Sequence, residues 1–153
     1  MNKKLINECN LDKTRVAVQG YSPVSYFESG NAERGNKEFA VEHDGVIYYL
    51  TSTEQMEKFK ADPNKYVPAY GGWCAYGMAI EKKFPIDPNN FKVVDDRLFL
   101  FLKNKDVDAL ELWNKEDEGD FTRKADKYWE SLTGEHDGDR RKDETGARKR
   151  AQV

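Results

Sequence analysis

The stretch Phe39-Ala40-Val41-Glu42-His43-Asp44-Gly45-Val46-Ile47-Tyr48-Tyr49-Leu50 decides the fold class. Phe39, Val41 and His43 alternate onto one face, as a half-buried strand requires. Asp44-Gly45 is a two-residue turn of the kind that accepts positive φ at both positions. Val46, Ile47, Tyr48 and Tyr49 are β-branched and aromatic, the residue types that fit a pleated sheet. The stretch is predicted as a β-hairpin. A second hairpin is predicted where residues 91–94 and 97–102 flank Asp95-Asp96. Leu98, Leu100 and Leu102 share one face of its second strand and Phe99 and Phe101 the other, so that strand is expected in the centre of a sheet.

Working outward, Arg15-Val16-Ala17-Val18-Gln19 reads as a short strand ended by Gly20 and Pro23. Ser52 with Gln55 three positions on makes a capping box, and Met56 and Phe59 follow at helical spacing until Pro63. Val107, Ala109, Leu110 and Trp113 mark a helix running to about Glu118, with Gly119 as its break. Phe121, Ala125, Tyr128, Trp129 and Leu132 recur on one face of a further helix, for which Asp120 is the candidate N-cap. The expectation is an α+β fold: a small, mostly antiparallel sheet built from two hairpins, one short helix after the first hairpin and two C-terminal helices. Residues 1–14 are read as an N-terminal arm, 15–132 as the folded domain and 133–153 as a charged tail too polar to offset the entropy of ordering. No internal repeat and no low-complexity tract is visible.

Composition narrows the function. With 153 residues, the chain fits one domain, which buries roughly 70% of its unfolded surface and needs no disulfide or metal to fold. Twenty-five Lys and Arg stand against 28 Asp and Glu, and a formal charge of −3 gives no electrostatic reason to expect nucleic acid. The two cysteines, Cys9 and Cys74, form no CxxC pair and no disulfide framework. Leu5 and Ile6 are the whole apolar run behind Lys3-Lys4, too short for an export signal. No stretch reaches the roughly 20 apolar residues of a membrane span. The chain as written is expected in the cytoplasm, or exported where its natural precursor carries a signal absent here.

Several separated blocks carry a resemblance. Gly20-Tyr21-Ser22-Pro23-Val24-Ser25-Tyr26-Phe27, the run from Gly45 to Ser52, Pro63, Tyr66, Pro68 and Tyr70-Gly71-Gly72-Trp73-Cys74-Ala75-Tyr76-Gly77-Met78-Ala79 together resemble the small stand-alone YHS-domain proteins over about residues 15–132. Members of that family also occur attached to metal-transporting ATPases and oxygenases. The resemblance implies a fold and a proposed capacity to bind metal through cysteines. The metal-associated members carry Asp-Pro-Val followed by Cys, and a later Phe-Cys-Ser. Here the corresponding positions are Ser22, Ser25 and Leu50-Thr51-Ser52, so both thiols and one carboxylate are absent.

The remaining ligand candidates are Cys74 and His43, with Asp87 as a third donor and a transition metal such as Cu or Zn as the ion. A closed zinc site needs four ligands. Tyr21, Tyr70, Trp73 and Tyr76 are candidates for lining a small-ligand pocket. Each has a plainer reading: free cysteine is commonly buried as a small hydrophobe, a strand histidine is commonly hydrogen-bonded structure, and aromatics commonly fill a core. No basic residue lies within six positions of Cys74 to lower its pKa, and no catalytic residue is assigned. The expected function is a non-enzymatic YHS module binding a metal ion or small ligand at a Cys74-centred loop. The alternatives are a protein-interaction domain, using the exposed side of the C-terminal helix or the tail, and a Cys-dependent enzyme.

Overall fold

The computed structural model describes residues 3–135. Its helices are α1 (Lys3–Glu8), α2 (Ser25–Glu28), α3 (Thr53–Ala61), α4 (Pro63–Tyr66), α5 (Ala75–Ala79), α6 (Ala109–Asn114) and α7 (Glu118–Thr133). Its strands are β1 (Asn36–His43), β2 (Val46–Leu50), β3 (Asp87–Val94) and β4 (Arg97–Phe101), and two tight turns lie at Val18–Gly20 and Ala69–Gly72. The architecture is α+β, with both hairpins, the helix after the first and the two C-terminal helices where the sequence puts them. Each hairpin forms its own two-stranded antiparallel sheet. Residues 136–153, most of the segment read as a tail, lie outside the described residues.

The differences have local causes. The strand expected at 15–19 is reduced to single bridges, Ala17 to Leu11 and Val16 to Ile47. Val18 and Gln19 have φ of 54° and 52°, a left-handed conformation that no strand contains, so tertiary packing overrides the β-branched residues. β4 is buried on both faces as expected, yet it is not the centre of a larger sheet: beyond its second edge lies the Cys74 segment, bridged to Leu100. Gly119 does not break a helix but sits in the first turn of α7. Asp117, not Asp120, is the N-cap, its carboxylate accepting the Asp120 amide at 2.9 Å. α6 starts only at Ala109, where Asp108 accepts the amides of Leu110 and Glu111. The segment read as an arm is docked: Leu5 is buried, Trp73 donates to the Glu8 carbonyl, and Asn10 bonds the Gly71 and Gly72 carbonyls.

The sequence shows no repeat, but the structure does. Adding 51 to Asn36, His43, Val46 and Leu50 gives Asp87, Val94, Arg97 and Phe101, the bounds of the second hairpin. The pairing register carries over as well, from Asn36↔Leu50 and Ala40↔Tyr49 to Asp87↔Phe101 and Phe91↔Leu100, with the same irregularity between. In each case an Asx side chain opens the hairpin: Asn36 accepts from the Glu38 amide at 2.8 Å and Asp87 from the Asn89 amide at 2.9 Å. Both hairpin turns are left-handed at two positions, Asp44-Gly45 and Asp95-Asp96. Upstream of each hairpin lies a left-handed triplet, Val18-Gln19-Gly20 (54°, 52°, 85°) and Tyr70-Gly71-Gly72 (59°, 59°, 87°), followed by a short helix. Downstream, an aromatic of the capped helix packs on the hairpin: Phe59 on Tyr48 at 4.8 Å, Trp113 on Phe99 at 5.4 Å.

Candidate functional site

Cys74 sits between the second left-handed turn and α5, with 0% of its surface exposed. Its sulfur accepts a hydrogen bond from the Leu102 amide at 3.3 Å, where the chain leaves β4. Burial pushes the thiol pKa up, and N–H bonds from Leu102, Gly77 and Tyr76 offset part of that shift. A thiol so placed is protonated at neutral pH and sheltered, the opposite of a reactive or metal-ligating cysteine.

His43 is engaged elsewhere. At the end of β1 its Nε2 lies 3.2 Å from the Asp44 carboxylate, and its ring stands edge-on to Phe59 at 6.1 Å. Asp87, the third candidate donor, is the Asx residue that opens the second hairpin. Among the described residues no group of three or more His, Cys, Asp or Glu is arranged to hold a metal ion. The donor set read from the sequence therefore does not fit Cu or Zn, and no chemistry is derived through a metal.

The aromatic candidates are also occupied. Tyr70 is fully buried and stacks on Phe99 at 5.7 Å. Its hydroxyl donates to Asp126 at 2.8 Å, and Arg97 binds the same carboxylate at 2.9 Å. The Lys83 ammonium lies 5.6 Å from the Trp73 ring centre and forms an ion pair with Glu8. Tyr76 packs on Phe121 at 5.6 Å, and Arg34 covers Tyr21 at 5.1 Å. The glycines around the thiol serve packing too. A Cβ on Gly71 would stand 2.7 Å from the Trp129 ring and 3.0 Å from Cys9, and one on Gly77 would stand 2.9 Å from the Lys82 carbonyl.

Sequence reasoning missed two buried polar clusters. Asp126 falls on the apolar face of α7 between Ala125 and Trp129, and a carboxylate there requires partners, which are Arg97 and Tyr70. Ser22 and Ser25 are both fully buried. Ser22 donates to the Gln55 side-chain oxygen at 2.7 Å, and the same oxygen accepts the Thr51 amide at 3.0 Å. The capping box at Ser52 was the available signal, since it named Gln55, although Gln55 reaches back to Thr51 and not to Ser52.

An open concavity lies on α7 among the described residues. A cleft of about 550 Å³ is lined by Ala79, Glu81, Lys124, Lys127, Tyr128 and Ser131. Ile80, at the end of α5 between two of the lining residues, is 39% exposed. Asp120 pairs with Lys124 at 3.2 Å. Among the described residues no helix is long and apolar enough to cross a membrane. Comparison of the chain with protein-family models, with curated proteins and with solved structures found no match.

Proposed function

We propose that the chain is a non-enzymatic interaction domain of YHS type that receives an acidic segment of a partner protein in the cleft along α7. The family part rests on the motif blocks between Gly20 and Ala79. The interaction part rests on one contrast: the chemically capable groups around Cys74 are consumed inside the fold, whereas the α7 cleft is open and carries Lys127 and Lys124, the latter shared with Asp120, beside the carboxylate of Glu81. Tyr128 and the neighbouring Ile80 supply the apolar contact that a peptide anchor needs, and the lysines supply steering and register. A metal or small-ligand site at Cys74 is the weaker reading, because a ligand would first have to displace Leu102 from the sulfur and open the core around it.

The test is a photo-crosslinking amino acid at position 128, used in cells of the source organism, with the adduct mapped by mass spectrometry. The expected result is a crosslink to one acidic segment of one protein, lost in the Lys124→Glu/Lys127→Glu variant and kept in Lys37→Glu, whose charge change lies on exposed β1. An adduct insensitive to the α7 lysines, or no adduct, refutes the cleft. Equal uptake of Cu(I) and Zn(II) by wild type and Cys74→Ala is expected alongside. Tighter binding by wild type would return the site to the thiol.

A further inference from the structure

The repeat extends from the backbone to one buried position. We infer that residues 17–61 and 69–114 are two copies of one structural unit, and that Ser22 and Cys74 are the same position in the two copies. Cys74 is accordingly a positioning residue: it supplies the acceptor that ties the end of β4 to α5.

Two independent sets of contacts carry the equivalence. The first is local. The buried alanines Ala17 and Ala69 each precede a left-handed triplet, and the amide after it closes the turn, Tyr21 to the Val18 carbonyl at 2.9 Å and Trp73 to the Tyr70 carbonyl at 3.1 Å. The next residue is Ser22 in one copy and Cys74 in the other, both with no exposed surface. Its amide donates to the strand-entry loop in both, to the Glu33 carbonyl at 2.8 Å and the Phe84 carbonyl at 3.1 Å. Glu33 and Phe84 differ by the same 51 residues as the hairpins.

The second set concerns the amide that follows the second strand. Thr51 follows β2 and Leu102 follows β4, again 51 apart. Each would leave a donor facing the interior at the point where the ladder ends, and a buried donor without an acceptor costs about 1–3 kcal/mol. In the first copy the acceptor is the Gln55 side-chain oxygen, which Ser22 holds in place with its own hydroxyl. In the second copy the larger sulfur reaches the amide directly at 3.3 Å. One task is thus done by a serine with a glutamine relay and, 52 positions on, by a cysteine alone. This inference does not depend on the α7 cleft.

The test is amide hydrogen exchange, read by NMR at Thr51 and Leu102 in the full chain. Cys74→Ala is expected to speed Leu102 exchange about tenfold, the worth of one hydrogen bond, while leaving Thr51 unchanged. Gln55→Ala is expected to do the reverse. Cys74→Ser, whose hydroxyl is set back by its shorter bond and has no glutamine relay to extend it, is expected to recover only a small part of the Leu102 protection. Should Cys74→Ala not fold, Cys74→Ser decides alone: a folded protein in which Leu102 exchanges faster than in wild type while Thr51 is unchanged supports the inference, and unchanged Leu102 exchange or an unfolded protein overturns it. Unchanged Leu102 exchange in Cys74→Ala overturns it as well.

Discussion

The two halves of this molecule solve the same backbone problem with different side chains. The first half places Val18 and Gln19 in the left-handed region and accepts the strain, roughly 1–2 kcal/mol for each L-residue. The second places Tyr70 there and follows it with two glycines. The reason for the glycine at 71 is what surrounds it. Gln19 projects to the exterior, where its side chain donates to the Ile86 carbonyl. Gly71, at the equivalent position, lies under Trp129 and Cys9 with no room for a Cβ. Trp129 of α7 and Cys9, just after α1, cover the Gly71 turn of the second half, whereas Tyr66 of α4 packs on Phe27 and Phe59 of the first. The difference teaches that the turn at Gly71 is tight because Trp129 of α7 and Cys9 sit on it.

That contrast is open to breakage. The largest effect is expected from Gly71→Ala, which forces a Cβ into Trp129 at a positive φ. Overpacking and backbone strain together predict a loss of about 3 kcal/mol or more, read as a lowered urea midpoint. Gln19→Gly, the change that makes the first half resemble the second, is expected to cost less than about 1 kcal/mol, because relief of strain offsets the lost bond to Ile86. Equal costs at the two positions would contradict the account of what covers each half.

Exchanging the hairpin turns gives a smaller effect. Asp96→Gly removes a non-glycine residue from φ of 63° and is expected to stabilise the second hairpin by about 0.5–1 kcal/mol. Gly45→Asp, its mirror, is expected to destabilise the first by at least about 1 kcal/mol, since its Cβ would also meet Ile6 at 2.9 Å. Thermal unfolding of the two variants checks both signs.

Smallest is a difference in acid sensitivity between the helix caps. α3 is capped by the uncharged Ser52 and α6 by Asp108. The Asn90 side chain and the Glu111 and Leu110 amides, with nearby Lys103, hold the Asp108 pKa below its ordinary value. A carboxylate depressed in the folded state stabilises above its unfolded pKa of about 4, and that contribution is lost as pH falls through the folded value. Stability measured from pH 5 downward should therefore fall less steeply in Asp108→Asn than in wild type, asparagine being an equally good cap that does not titrate. Ser52→Asp is expected to add the same acid sensitivity to the first half.

Much of the fold was legible in the sequence, and the repeat was not, for one reason. The hairpins could be read because Asp44-Gly45 and the alternation around it state the turn and the faces directly. Across the two hairpins Asp44 and Asp95 are the only identical pair. What is shared is physical class: an Asx residue to open the strand, two left-handed residues at the turn, an aromatic to receive the helix. Backbone requirements of that kind are met by glycine in one copy and by strained residues in the other, so no residue-by-residue likeness survives. The strand expected at 15–19 failed for the related reason that Val18 is held left-handed by contacts distant in sequence. The thiol and His43 could be singled out as chemistry, but burial of Cys74 and its bond to Leu102 depend on β4 lying beside it, which no local pattern states.

The account stands on the sealed state of that sulfur, and the rate of Cys74 alkylation at pH 8 measures it directly. In a Cys9→Ser background, which keeps a donor to the Leu5 carbonyl, iodoacetamide should modify the native protein at least on the order of a thousandfold more slowly than the urea-unfolded chain, because reaction requires opening of the core. A native rate close to that of a free thiol would contradict it and make Cys74 an accessible, functional group.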